Sequence, residues 1–408
     1  MKLTQFHFLS NLFRALRSRN YTLYFTGRAV SQFGTWMQRT AVVWVVYTLT
    51  HSAFWIGLSI FAEQFPSFVC SIPGGVAADR YNRYAIIRIT QIASMMQSVA
   101  LAVLVMSGHD PVWAILGLSV LLGVINAFDV PARQALINDV VADPKDLPNA
   151  LSLSTATASL AQLLGPALSG IVLTAFGAGV CFLINAASFA AVIVSLFLMH
   201  LPPYQPVKTN KNSMEDVVDG FRYIRGHRNI GRIALMLALM SLLVLPYNTL
   251  LPVFAKVVFK GGAATFGYLN SFVGIGAVAG TVYLAARKPG DGLKRVLFFS
   301  TIALGIGLIC FSRIGNFPAA MFFAAVTGYG AMAQFTISNI VVQSGASPEM
   351  RGRALGALLM ATFGMLPLGS LLVGTVSEYI GAPVTLLIQG VIALVIAGLF
   401  FRFLLKDH

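Results

Sequence analysis

Apolar residues fall in twelve long runs separated by short polar stretches. The first six lie at 22–49, 53–77, 85–107, 112–135, 149–175 and 178–201, and the second six at 230–255, 265–286, 294–312, 317–342, 354–376 and 382–405. A helix needs roughly 20 apolar residues to cross the hydrocarbon core of a bilayer. The pattern predicts an all-α integral membrane protein of twelve transmembrane helices, numbered here as spans one to twelve in chain order. The longest polar stretch, 202–228, divides them into two six-span bundles. Within it Ser213 and Asp216 have the spacing of a capping box, and Met214, Val217, Val218, Phe221 and Ile224 share one helical face. Its acids lead and Arg222 and Arg225 trail, which suits the helix dipole. Near the start, Leu9, Leu12, Phe13 and Leu16 recur at helical spacing beside Arg14, Arg17 and Arg19. They predict a short helix lying on the membrane surface. No leader-type apolar core is read in residues 1–20. The expected organisation is a bundle at 1–201, an interfacial linker with an amphipathic helix at 202–228, and a second bundle at 229–408.

Composition agrees with a membrane solvent. Hydrophobic residues make up 57% of the chain and charged ones 10%, where a soluble domain carries about a quarter charged. The 37 glycines fit helices that must approach closely without a hydrophobic driving force between them. A net charge of +14 raises the question of nucleic acid. The distribution argues against it, because the basic residues sit in loops between apolar runs. With the N-terminus placed in the cytoplasm, 23 Lys and Arg fall on the cytoplasmic side and three outside: Lys256, Lys260 and Arg313. That asymmetry predicts an even number of spans with both termini inside. Cys70, Cys181 and Cys310 all fall in apolar runs, with neither a disulfide framework nor metal-ligand spacing.

The two halves read as related. FGAGVCFLINA at 176–186 resembles IGAPVTLLIQG at 380–390, an offset of 204 residues. The same offset pairs Pro144 with Pro348, Ala150 with Ala354, Gly165 with Gly369 and Gly170 with Gly374. Side-by-side repeated bundles are the build of many secondary transporters, with the substrate between the repeats.

Two motifs carry mechanism. Residues 74–88 read GGVAADRYNRYAIIR, and Gly75, Asp79, Arg80 and Arg83 fit the spacing G-x-x-x-D-R-x-G-R-[KR]. Asn82 stands in place of the usual glycine and tolerates a left-handed backbone; Tyr84 stands in place of the last basic residue. Residues 161–170, AQLLGPALSG, place Gly165, Pro166 and Gly170 on the pattern G-x-x-x-G-P-x-x-G-G, with Ala161 and Ser169 as other small residues. With RAVSQFGTWMQ at 28–38 and DVPARQALI at 129–137, these segments resemble the major facilitator superfamily. The likeness is to its bacterial exporter branch of enterobactin-exporter-like and macrolide-efflux-like proteins, also labelled transmembrane secretion effectors. The resemblance implies an inner-membrane exporter driven by proton influx, with spans one, four, seven and ten around a central cavity. It implies an antiporter motif at Gly165, Pro166 and Gly170. It also implies that Asp79 approaches the start of span eleven, MRGRALGA at 350–357 with Arg351 and Arg353, when the cytoplasmic side closes, with Arg133 to hold it.

Ionisable and polar groups inside spans are costly and mark function. Arg28, Gln32, Trp36 and Arg39 recur on one face of span one. The two arginines are about 17 Å apart along the helix. They read either as a basic and aromatic stripe facing cargo, or as a snorkelling Arg28 and a structurally paired Arg39. Glu63 in span two is the first candidate proton carrier, with a structural pair to Arg39 as the other reading; Asp129 is the second. Asp129 and Arg133, four residues apart, read as a pair at the end of span four. Asn126, Tyr247, Asn248, Gln334 and Asn339 are further cavity candidates or helix-helix contacts. There is no phosphate-binding loop and no zinc-type histidine pair. The expectation is a monomeric secondary transporter without cofactor or metal. It exports a small molecule by proton antiport through alternating access, with protons, cargo and lipid as its partners and no nucleic acid. An uptake symporter and a lipid or lysolipid flippase share the fold; a membrane enzyme or sensor is a remote alternative.

Overall fold

The computed structural model describes residues 14–108, 111–200, 213–287 and 292–405. Leu9, Leu12 and Phe13, and the side chains of Ser213, Met214 and Asp216, lie outside the described residues, and so do the surface helix and capping box read from them. Arg14–Arg17 form one 3-10 turn. An Arg14–Asp146 ion pair and a hydrogen bond from the Ala15 amide to Asn149 Oδ1, 3.0 Å, tie that turn to the loop after span four and to the first turn of span five.

Among the described residues every regular element is helical. Span one is Arg19–Thr50, span three Arg83–Met106, span four Val112–Val140, span five Leu147–Phe176 and span six Ala178–Leu198. Spans eight to twelve are Ala263–Ala285, Leu293–Arg313, Phe317–Gly345, Arg351–Ile380 and Ala382–Leu399. Span two is a pair of helices, Ala53–Val69 and Ser71–Arg80, bent by 46°. Span seven, Arg228–Val258, changes character on the way. An α-helix to Leu243 gives way to a 3-10 stretch at Leu245–Leu250, and a π-turn closes the span at Phe254–Val258. Pro246 causes the first change, since it leaves the Leu242 carbonyl without its helical donor. The Gln389 amide of span twelve donates to the next two carbonyls, Leu243 and Val244, each at 3.3 Å, and so supports the backbone at the break.

Among the described residues ten helices are long and apolar enough to cross a membrane, and the bent pair taken as one span makes eleven. Span one is the least apolar because its inward stripe is polar, yet its 32 residues reach about 48 Å. All spans run between a terminal end, where span one begins and span twelve finishes, and a distal end. Span one packs on five and six, two on four, and three on four and six; in the second half eight packs on ten, nine on ten and twelve, and seven on eleven. Two helix pairs make most of the contact between the halves, two with eleven and five with eight, and span seven adds smaller contacts with spans one and two.

The 204-residue repeat reappears as matched packing. A Cβ on Gly170 would lie 3.0 Å from the Ala263 carbonyl of span eight, and one on Gly374 would lie 2.5 Å from the Ala53 carbonyl of span two. Likewise Gly267 meets the Pro166 carbonyl, and Gly57 meets that of Ser370, at the matching place. Gly165 and Gly369 instead face the first span of their own half, at Trp36 and at the Leu242 carbonyl. Backbones that meet this closely have no room for a side chain, which explains why small residues repeat at these positions.

The linker helix, Ser213–Gly226, lies against the start of span eleven. Its seat differs from the apolar face expected from sequence. Gly220 and Ile224 are buried, and a Cβ on Gly220 would lie 2.4 Å from the Arg353 carbonyl, whereas Val218 and Phe221 stay 47% and 43% exposed. The residue without a side chain sets the closest approach, and that rotates the larger apolar residues outward.

Candidate functional site

Span one is held in rotation by its buried side. Gln38 Oε1 accepts from Ser98 and, at 2.8 Å, from Asn185 Nδ2; its own amide donates to Gln97 Oε1 at 3.0 Å. These contacts bind span one to spans three and six and turn Arg28, Gln32, Trp36 and Arg39 to the opposite face, where all four are partly exposed. Gly165 of span five receives the Trp36 side chain at its Cβ, and Ser169 donates to the Met37 carbonyl at 3.1 Å. The motif on span five therefore contacts span one through Gly165 and Ser169, and span eight through Pro166 and Gly170.

Two acid-base units flank the stripe. Arg39 Nε donates to Glu63 Oε1 at 2.9 Å, and the Arg39 guanidinium lies over the Trp36 ring at 5.4 Å. The Arg39 side chain is 40% exposed and that of Glu63 17%. The second unit centres on Asp129, whose side chain is 5% exposed. Its Oδ1 accepts from Thr90 Oγ1 at 2.8 Å and Gln91 Nε2 at 2.9 Å, and its Oδ2 pairs with Arg133. Arg28 lies within electrostatic range of both Asp129 and Arg133.

The extent of the helix differs from the sequence reading, in which Asp129 and Arg133 end span four. The helix runs on to Val140, eleven residues further, because pairing and hydrogen bonds satisfy the polar residues that seemed to end it. Nor does Pro131 stop it. The carbonyl that Pro131 leaves without a donor is that of Ala127, and Gly74 of span two packs against it. Thr90 and Gln91 were missed as partners, although two adjacent polar residues in the third apolar run were a readable signal.

The loop motif is also re-read. A Cβ on Gly75 would meet open space, so Gly74 is the packing glycine. Asn82 is not left-handed: at φ −63° it caps span three, accepting from the Tyr84 and Ala85 amides at 3.0 and 3.3 Å. The Tyr84 hydroxyl donates to the Leu196 carbonyl of span six. Arg83 pairs with Asp139 at 3.2 Å, a partner that sequence reasoning did not name. Asp79 and Arg80 are exposed at the end of span two. At the start of span eleven Arg351 is exposed, and Arg353 donates to Asp219 of the linker helix at 3.4 Å.

The remaining candidates divide. Asn126 is partly exposed, and Asn248 is exposed in the 3-10 stretch of span seven. Tyr247 is buried and interacts with Thr327 of span ten. Gln334 is fully buried and accepts from Thr301 of span nine at 2.9 Å. Asn339 donates to the Phe335 carbonyl of its own helix at 2.7 Å. Among the described residues no acid, histidine and cysteine cluster could hold a metal.

At the distal end Glu378 of span eleven reaches the start of span two. It accepts from the Ser52 hydroxyl and, at 3.1 Å, from the Phe54 amide. No local sequence signal marks this contact, which joins residues more than 300 positions apart.

Comparison with known proteins agrees with this architecture. The transmembrane secretion effector family matches residues 10–408. The Staphyloferrin A transporter of Staphylococcus aureus is 27% identical over 395 residues, 93% of this chain and 95% of that protein. The multidrug efflux pump Tap of Mycolicibacterium fortuitum is 24% identical over 85% of this chain and 86% of its own. The crystal structure of the nucleoside transporter NupG superposes with a TM-score of 0.73 at 18% identity, over 95% of this chain and 100% of that one. With its paired six-span bundles, its loop motif and a family match over nearly its whole length, the chain belongs to the transmembrane secretion effectors, a branch of the major facilitator superfamily of membrane transporters.

Proposed function

We propose that the protein exports an amphipathic small molecule across the bacterial inner membrane in exchange for protons, by alternating access. In this reading the bundles at 1–201 and 229–408 rock about the stripe on span one. Similarity to a siderophore transporter and a drug efflux pump supports a cargo of that general size and polarity. The observation that carries the coupling is the Arg39–Glu63 pair, partly exposed beside Trp36. A cargo group that donates a hydrogen bond is held more tightly by ionised Glu63 than by the neutral carboxyl, so a proton arriving on Glu63 weakens that bond and favours release of the cargo. An anionic or aromatic part of the same molecule has Arg28, Arg39 and Trp36 to meet. Each ligand then favours a different state, which exchange requires.

The same pair favours one second reading. A purely anionic cargo would compete with Glu63 for Arg39, and the freed carboxylate would take up a proton. Cargo and proton would then travel together, as in uptake symport. Membrane vesicles with an imposed pH gradient separate the two. Antiport predicts that cargo accumulates in the compartment from which protons leave, and symport predicts accumulation where protons go. Metabolite profiling of the medium of a deletion strain supplies the cargo; under the export reading one compound is depleted outside the cells.

The proposed orientation puts both termini and the 202–228 linker in the cytoplasm, motivated by 23 basic residues on that side against three on the other. Reporter fusions at His408 and near Asn210 are expected to signal a cytoplasmic position. An external signal from either one contradicts this topology.

A further inference from the structure

Spans eight and nine both pack on span ten, and between them lies a cleft of about 550 Å³. Its rim is basic. Arg287 lies two residues past the end of span eight, and Arg295 sits in the first turn of span nine, so both guanidinium groups lie at the terminal surface of the bundle. The interior is aromatic and apolar. Arg287 lies over the Tyr283 ring at 5.2 Å, the rings of Tyr283 and Tyr329 are 6.1 Å apart, and Phe299, one turn deeper than Arg295, is 61% exposed. Ser300 lines the same cleft. Its hydroxyl is buried and has no hydrogen-bond partner among the described residues.

We infer that this cleft binds one anionic phospholipid of the leaflet at the terminal end, with its phosphate between Arg287 and Arg295 and an acyl chain along Phe299 toward Tyr329. The order of the groups along the cleft carries the assignment. Positive charge stands at headgroup depth, where anionic lipids attract basic residues. Apolar surface stands below it, where a free phosphate would gain nothing. The unpartnered Ser300 hydroxyl lies about 8 Å deeper than Arg295 along the helix, the level of the ester oxygens. Arginine is suited to the rim, because its planar fork matches two phosphate oxygens. The site stands apart from the stripe on span one, so it needs neither the direction of transport nor the identity of the cargo.

The test is native mass spectrometry of the full-length protein in detergent with equimolar phosphatidylglycerol and phosphatidylethanolamine of identical acyl chains. The wild type is expected to keep phosphatidylglycerol under activation that strips phosphatidylethanolamine. Arg287→Gln/Arg295→Gln is expected to lose that preference by about tenfold, with an unchanged unfolding temperature. Equal retention of the two lipids by the wild type overturns the proposal, as does full retention by the double variant. Displacement of the lipid by millimolar inorganic phosphate would reassign the cleft to free phosphate. If the double variant does not survive purification, the wild-type lipid comparison and the single variant Arg295→Gln decide the matter.

Discussion

Replacing Glu378 with alanine is expected to open the distal end of the transporter. Glu378 caps the start of span two from the opposite bundle, accepting from the Ser52 hydroxyl and the Phe54 amide. A helix N-terminus presents unsatisfied N–H groups and a partial positive charge, so a carboxylate there acts as a cap. Loss of a cap costs about 1 kcal/mol, and because Glu378 is exposed nothing larger is expected. That is still enough to change the ratio of two conformations about fivefold. The bond spans the two bundles, so its energy is present only while they meet at the distal end. The measurement is a spin-label distance between Leu49→Cys and Tyr379→Cys, with Cys70, Cys181 and Cys310 replaced. Glu378→Ala should raise the long-distance population, and Glu378→Gln should fall between it and the wild type. Asp79 provides the opposing case. It ends span two as Glu378 ends span eleven, and the expected latch joins it to the start of span eleven at the terminal end. Asp79→Asn should therefore move the same label pair toward short distances. If both variants shift the distances the same way, spans two and eleven do not act as opposed latches.

The spans were legible because lipid imposes a length and a polarity that few other environments demand. The 204-residue offset was legible too, and its meaning is now physical: Gly170 and Gly374 are the points at which span five meets span eight and span eleven meets span two. What sequence could not give was depth and partnership. Asp129 and Arg133 looked like a span end because each is costly in lipid alone; together, with Thr90 and Gln91, they are stable deep in the helix. Gly75 fitted the motif, while the neighbouring Gly74 makes the contact, a difference of one helical position that only packing decides. Glu378 carries no signal in its own neighbourhood, since its partners lie in the other half of the chain.

The second large effect is expected from the two acids inside the spans, the partly exposed Glu63 and the buried Asp129, which should fail in different ways. A proton carrier must lose its charge in every cycle without stranding its partner. Glu63 meets that condition. Its partner Arg39 is 40% exposed and lies over Trp36, so water and the ring remain to it when Glu63 is neutral. Pairs this open contribute about 1 kcal/mol or less. Asp129 does not meet it. Its side chain and that of Arg133 are only 5% and 18% exposed, and breaking a buried pair leaves an uncompensated charge at a cost of about 3–5 kcal/mol. In Asp129→Asn, moreover, the new amide donor would face either the guanidinium or the Thr90 and Gln91 donors. Glu63→Gln should therefore yield folded protein at wild-type levels that binds cargo more weakly but measurably and without dependence on pH, while proton-driven transport is abolished. Asp129→Asn should lower the unfolding temperature and the yield of folded protein before any transport is measured. The pair of variants separates the roles in one experiment, with yield, unfolding temperature and vesicle transport measured side by side. If Glu63→Gln still pumps against a gradient with an unaltered pH profile, Glu63 serves only to hold Arg39. If Asp129→Asn also folds normally and has lost its coupling, the proton belongs on Asp129, and Thr90 and Gln91 become the groups that position it.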